Sequence, residues 1–208
     1  MASDRTSESA SYPPISDYAL IGDCRSAGLV SLEGSLDWLC LPRFDSPSVF
    51  GALLDASEGG RFSIRPVGEY SSERRYLANT NVLETVFHTP SGACALRDLM
   101  SVSSEEDKRA HLTPEHEVLR ELEGLEGEVE VEILYEPRPD YGRLSSVLER
   151  RGMFGLWCEV DGAALALRSE LPLQLADGER SARGVSKIQS GEHKYLSLTY
   201  SLFYALSR

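Results

Sequence analysis

The chain has 208 residues and a formal net charge of −12, with 41% hydrophobic and 26% charged residues. A chain of this length and composition can bury a hydrophobic core without disulfides or a metal, in one large domain or two small ones. Its acidic balance repels phosphate, which argues against nucleic acid and anionic membranes as partners. No apolar run approaches the roughly 20 residues that span a bilayer, so membrane insertion is not expected.

The N-terminal segment, residues 1–11, is polar and rich in Ser. We predict that it is a flexible leader and that residues 12–208 form a single β-sandwich domain. The leader lacks the apolar segment of a secretory signal. The four cysteines are widely spaced and contain no CxxC pair: Cys24, Cys40, Cys94 and Cys158. We therefore expect buried, reduced thiols, a cytoplasmic location, and neither a metal nor a cofactor.

The first part of the chain alternates short apolar runs with turn residues, a pattern typical of antiparallel hairpins. A hairpin turn is predicted at Leu32–Ser35, because Gly34 can adopt a positive φ. A short helix is predicted over Ser46–Leu54. Ser46 can cap it, Pro47 suits its first position, and its apolar residues share one face.

The later part of the chain has a two-residue period that favours β-strands. The clearest case is Glu128–Ile133, in which three glutamates alternate with three apolar residues, as in a strand with one face in water. An exposed loop is predicted over residues 101–117. The other predicted strands are Val82–Phe87, Ala93–Leu99, Met153–Val160, Ala163–Ser169 and Tyr195–Tyr200. The sequence thus predicts an all-β fold, an antiparallel, supersandwich-like β-sandwich with one or two short helices.

Few residue patterns point to chemistry. The chain has no GxSxG, P-loop, GxGxxG or HExxH motif, and its four histidines form no tight cluster with cysteine. Asp37 and Asp45 bracket Trp38 and Arg43. Such a set can hold a sugar by stacking and bidentate hydrogen bonds, or act as an acid/base pair if the carboxylates lie close together. The same residues can equally have structural roles only, with the aspartates in turns, the tryptophan in the core and the arginine in an ion pair.

Two longer segments resemble a known family. Tyr12–Arg25 and Gly34–Phe50 are similar to the start of bacterial trehalase and glucoamylase-type enzymes of glycoside hydrolase family 15. Shorter segments continue the resemblance in the same order: Arg75–Leu77, Asn79–Thr85, Gly127–Val131 and Pro137–Arg143. The resemblance covers about residues 12–200 and is most specific in the first third.

The resemblance implies a non-catalytic N-terminal accessory domain. In that family a β-sandwich precedes a large (α/α)₆ barrel, which carries both catalytic carboxylates and hydrolyses trehalose or α-glucans with inversion. A barrel needs several hundred residues, so no catalytic residue is assigned to this chain. The expected function is to dock on such a barrel and support its active site.

The resemblance also implies a site. Its strongest signature, Trp38–Pro47, is expected to form a loop at the junction of sandwich and barrel. There Arg43, Phe44 and Asp45 would hold loops of the barrel or contact a hydroxyl of trehalose or another α-glucoside, and Trp38 would pack beneath them.

Two alternatives remain open at the sequence level. The chain can be a stand-alone carbohydrate-binding protein that uses exposed aromatic residues, for which the candidates are Trp38, Trp157, Tyr12, Tyr18, Tyr70, Tyr76 and Tyr141. It can also be an oligomerising sandwich, for example a homodimer formed through an exposed apolar patch. The apolar run Leu196–Tyr204 could then pair across a sheet edge.

Overall fold

Fifteen β-strands and two short 3₁₀ helices make up the described part of the chain, residues 12–102, 116–144 and 146–202 of the computed structural model. The helices are Ile15–Asp17 and Gly152–Phe154. The strands are β1 (Tyr18–Gly22), β2 (Ala27–Ser31), β3 (Ser35–Cys40), β4 (Ser48–Phe50), β5 (Arg61–Pro66), β6 (Ser71–Tyr76), β7 (Leu83–Thr89), β8 (Gly92–Met100), β9 (Glu117–Glu136), β10 (Glu149–Arg150), β11 (Leu156–Val160), β12 (Ala163–Ser169), β13 (Gln174–Ala176), β14 (Ser181–Gln189) and β15 (His193–Leu202). No helix in these ranges is long and apolar enough to cross a bilayer.

The strands pair antiparallel in two sheets that share the long strand β9. The first sheet has the order β1-β2-β3-β5-β9-β14-β13, with β4 also paired to β3. The second has the order β6-β7-β8-β9-β15-β12-β11-β10. The N-terminal part of β9 pairs with β8 and β15, and its C-terminal part, from Glu128, pairs with β5 and β14. A 20-residue strand can thereby turn the corner between two sheets.

Most of the sequence predictions for the fold are confirmed. The fold is all-β, and the predicted turn at Leu32–Ser35 joins β2 to β3 with Gly34 at φ 76°. The predicted strand Glu128–Ile133 lies inside β9, with its valines and isoleucine buried and its glutamates outside. The predicted leader and residues 103–115 of the predicted loop lie outside the described residues.

Three local predictions are wrong. The predicted helix over Ser46–Leu54 is instead strand β4 followed by turns, because Ser48–Phe50 pairs with β3. The strand predicted from Met153 begins only at Leu156, after a 3₁₀ helix. The run predicted to pair across a sheet edge is not at an edge over Leu196–Thr199, since β15 pairs there with both β12 and β9, and Leu196 and Leu198 are buried.

The cysteines follow their prediction in part. Cys40, Cys94 and Cys158 are buried and free, and burial raises the pKa of each thiol. Cys24 is also free but is exposed, contrary to the expectation. It lies in the turn between β1 and β2, with φ 69°.

Arg120 of β9 holds the two sheets together. Its side chain is fully buried and pairs with Asp98 of β8, with 2.6 Å between Nε and Oδ1 and 3.3 Å between Nη2 and Oδ2. The same guanidinium donates to the carbonyls of Gly34 and Phe62 in the first sheet and lies over the Phe62 ring. A buried charge is tolerated when its hydrogen bonds are satisfied in this way.

Gly34 is required where the sheets meet. Its φ is positive, and an added Cβ would lie 2.4 Å from the Ile64 carbonyl oxygen of the first sheet and 2.9 Å from Phe87 of the second. The close approach lets the Gly34 carbonyl reach Arg120, with 2.8 Å between oxygen and Nη2. The β2–β3 turn therefore packs directly on the second sheet.

A charged ladder covers the outer face of the second sheet. Arg97 of β8 pairs with Glu84 of β7 and with Glu121 and Glu123 of β9, at 2.5–3.4 Å. Arg75 also reaches Glu84, with 2.6 Å between Nη2 and Oε1. Burial raises the pKa of Glu84, but the hydrogen bonds from Arg97 and Arg75 outweigh it, so the net pKa lies below the ordinary value of 4.5.

We expect Asp98→Asn to lower the free energy of unfolding by about 3–5 kcal/mol, because it leaves a buried guanidinium without its counter-charge. Urea unfolding followed by circular dichroism measures this loss. Arg43→Ala is the control: its ion pair is exposed, so the cost should stay within about 1 kcal/mol. A loss of the control's size for Asp98→Asn would contradict the role given to Arg120.

The Glu84 cluster predicts a pH dependence of stability. Since the pKa of Glu84 is lowered on folding, its ionised form stabilises the protein above pH 4.5, and this contribution is lost as the pH falls below that value. The difference in unfolding free energy between the wild type and Glu84→Gln should therefore shrink between pH 7 and pH 3. Urea titrations at several pH values measure it, and a constant difference would contradict the cluster's role.

Candidate functional site

The segment between β3 and β4 is an ordered turn that projects from one end of the sandwich. Arg43 and Ser46 close it reciprocally: the Arg43 amide donates to the Ser46 hydroxyl, and the Ser46 amide donates to the Arg43 carbonyl. The Phe44 amide donates to the carbonyl of Arg25, 3.0 Å away, which anchors the turn to the β1–β2 connection. Phe44 itself is 61% exposed.

Arg43 and Asp45, two of the predicted site residues, pair with each other. The distances are 3.0 Å between Nε and Oδ1 and 3.3 Å between Nη2 and Oδ2, so the guanidinium engages both carboxylate oxygens. Both side chains are 72% exposed. An ion pair this open to water adds little to stability, which leaves the two groups available to a partner.

Trp38, the third predicted site residue, is half-buried on β3. Its ring centroid lies 6.1 Å from that of Tyr141, with 46° between the ring planes. The Arg143 guanidinium lies over the Tyr141 ring, 5.8 Å from its centroid. The Tyr141 amide donates to the Ser48 hydroxyl. The structure thus brings Trp38 together with the segment 139–144. The sequence analysis included Pro137–Arg143 in the family resemblance but did not connect it to the site.

Two cavities flank this turn. One of about 500 Å³ is lined by Arg25, Pro42, Arg43, Phe44, Asp45 and His116. The other, of about 420 Å³, lies between the turn and segment 139–144 and is also lined by Tyr200, near the C-terminal end of β15. We call this surface, formed by Pro42–Ser48, segment 139–144, His116 and Tyr200, the signature end.

His116 is a member of the signature end that the sequence analysis missed. It is buried, its carbonyl accepts from the Tyr200 amide, and its Nδ1 lies 3.6 Å from Oδ2 of buried Asp23. Within the described residues, neither of these two atoms has a hydrogen-bond partner. The sequence placed His116 in a charged loop, and no local pattern indicates that β9 begins beside it.

Asp37 and Asp45 are not brought together at one site. Asp37 is buried and accepts from the Tyr18 hydroxyl at 2.8 Å and from the Ser35 hydroxyl at 2.5 Å. It lines a cleft on the outer face of the first sheet, whereas Asp45 lines the 500 Å³ cavity with Arg43. The two carboxylates therefore have separate partners and separate cavities. In the described residues, no group of three His, Cys, Asp or Glu side chains could hold a metal ion.

Comparison with known proteins gives a consistent result. The family described as "Trehalase-like, N-terminal" matches residues 7–170. The trehalase of Mycolicibacterium smegmatis is 34% identical over 212 aligned residues, which cover 91% of this chain and 31% of the relative. The trehalase of Mycobacterium tuberculosis is also 34% identical, with 91% and 30% covered. Trehalase 1 of Sulfolobus acidocaldarius is 45% identical over 86 residues, 41% of this chain and 15% of the relative.

The chain therefore spans about a third of the length of the two mycobacterial relatives. The family match takes in most of the sequence, including the turn with Arg43 and Asp45 and the segment 139–144. This chain belongs to the trehalase-like N-terminal domain family.

Proposed function

We propose that this chain is the non-catalytic accessory domain of a trehalase- or glucoamylase-like α-glucoside hydrolase of glycoside hydrolase family 15, and that it docks through its signature end on an (α/α)₆ catalytic barrel. The observation that carries the proposal is the family match combined with the length of the relatives, about two-thirds of which lies outside the matched region. Three free buried thiols favour a cytoplasmic setting.

The shape and exposure of the signature end support docking there. Phe44, Tyr141 and Leu144 are 61%, 45% and 40% exposed, so apolar side chains stand beside the open Arg43–Asp45 pair. Apolar anchors surrounded by polar groups are typical of interfaces between proteins or domains. Tyr200, near the C-terminal end of β15, lines the same surface.

The roles of the individual residues follow from their contacts. Phe44 is the exposed anchor of the turn, and Arg43 and Asp45 supply a donor fork and an acceptor to loops of the barrel or to a hydroxyl of an α-glucoside bound there. Trp38 supports the neighbouring segment through Tyr141. Catalysis itself is assigned to the barrel, since Asp37 and Asp45 line different cavities.

The isolated 208-residue chain should release no glucose from trehalose or from maltooligosaccharides at any pH between 4 and 8. The assay is a coupled glucose measurement on a sample whose circular dichroism shows β-structure. Glucose release that survives repurification, and that is abolished by Asp37→Asn or Asp45→Asn, would contradict the accessory role.

Docking is tested by mixing this chain with the catalytic two-thirds of the Mycolicibacterium smegmatis trehalase, produced without its first third. Sedimentation velocity should detect a complex with the wild-type chain, and Phe44→Ser or Arg43→Ala should weaken it by about tenfold or more, since each removes a contact at the interface centre. Neither variant should change the urea midpoint appreciably, because both side chains are exposed.

Met153→Ser is the matched control, because Met153 is also an exposed apolar residue, at 79%, and lies outside the signature end. It should leave the affinity unchanged. If Met153→Ser abolished docking and Phe44→Ser did not, the interface would lie outside the signature end, contrary to the proposal. A folded wild-type chain that forms no complex, or that forms only a dimer with itself, would contradict the proposal.

A further inference from the structure

A cleft of about 810 Å³ lies on the outer face of the first sheet, away from the signature end residues. Its floor follows one row of paired residues across four strands: Ser35 of β3, Ser63 of β5, Leu134 of β9 and Arg183 of β14. We call it the sheet cleft. Its volume falls within the range of about 300–1,000 Å³ typical of small-molecule sites.

The depression exists because small side chains occupy two neighbouring positions of the row. Ser35 and Ser63 are direct cross-strand partners, and neither fills the space above the sheet. Larger polar side chains rise around them, with Arg61 and Arg65 on either side of Ser63 along β5. The core-facing residues between these positions, Phe62 and Ile64, are fully buried on the opposite face.

Asp37 places a buried carboxylate in the sheet cleft. The residue is only 3% exposed, and each of its oxygens accepts one hydrogen bond, from Tyr18 or from Ser35. A carboxylate can accept about four, so acceptor capacity remains. Burial and the bond to Asp37 raise the pKa of Tyr18, so this hydroxyl stays protonated as a donor.

Arg61 stands beside this carboxylate without bonding it. Its Nε lies 4.0 Å from Asp37 Oδ1, beyond hydrogen-bond range, while its Nη2 donates to the Ala56 carbonyl at 2.8 Å. A ligand hydroxyl beside both groups would accept from the guanidinium and donate to the carboxylate. A hydroxyl is donor and acceptor at once, so it can bridge the two side chains.

The charges in the sheet cleft nearly cancel. Four carboxylates and three guanidiniums line it: Glu33, Asp37, Glu132, Glu136, Arg61, Arg65 and Arg183. Several of them already pair, as in the 2.6 Å contact between Arg65 Nε and Glu132 Oε1. Such a surface gives no strong preference for ions of either sign. It offers planar bidentate groups to vicinal hydroxyls instead.

We propose that the sheet cleft binds a neutral oligosaccharide through its hydroxyl groups, with one hydroxyl shared by Asp37 and Arg61. This site is separate from the signature end, and the proposal does not depend on docking. It would let an accessory domain hold substrate or product carbohydrate apart from the reaction centre.

The test is a titration of the ¹⁵N-labelled 208-residue chain with maltotriose, trehalose and cellotriose, followed by amide chemical shifts. Saturable shifts are expected for at least one sugar, confined to β3, β5, the C-terminal half of β9 and β14. Arg61→Met, which keeps the apolar stem, should weaken binding by about tenfold or more, because a charged hydrogen bond is lost. Ser63→Val places a larger side chain on the floor of the sheet cleft and should weaken sugar binding to a similar extent.

Two variants are controls. Lys187 lies on β14 outside the lining of the sheet cleft, so Lys187→Ala should bind the sugar as the wild type does. Arg43→Ala at the signature end should also leave binding unchanged. The proposal is overturned if no sugar gives saturable shifts, if Arg61→Met and Ser63→Val both fold and bind normally, or if Arg43→Ala abolishes binding.

Discussion

Arg120 lies between the two sheets with its side chain wholly excluded from water, and it donates four hydrogen bonds to three residues, Asp98 of the second sheet and Gly34 and Phe62 on the side of the first. Asp98 neutralises its charge, and the carbonyls of Gly34 and Phe62 each accept one further N–H group. A buried guanidinium is costly unless these bonds form together, so the β2–β3 turn, β5, β8 and β9 have one relative arrangement that satisfies it. Loss of any one partner leaves a buried donor of Arg120 without a hydrogen bond.

Strand β9 transmits this arrangement to the rest of the molecule. Its N-terminal half carries Arg120 and belongs to the second sheet, while its C-terminal half forms part of the floor of the sheet cleft. His116, one residue before β9, lies at the signature end. The same strand therefore relates the inter-sheet contact, the proposed docking surface and the proposed sugar site to one another.

Stability and proposed function rest on different kinds of groups. The Arg120 side chain, which joins the sheets, is buried, whereas Arg43, Phe44 and Asp45 are largely exposed and make few contacts within the chain. Exposed side chains on an ordered turn contribute little to folding and are available to bind a partner. The sheet cleft lies between these extremes, since Asp37 is buried but retains acceptor capacity.

Sequence alone determined the all-β class, the Gly34 turn and the strand in Glu128–Ile133, because side-chain alternation and positive-φ turn residues act over a few positions. It also pointed to the turn with Arg43 and Asp45 through resemblance. Only the tertiary structure decided that Ser48–Phe50 is a strand, that β15 is internal, and that His116 and Arg120 are buried. These outcomes depend on partners tens of residues away, and local periodicity contains no information about which distant strand will supply the hydrogen bonds.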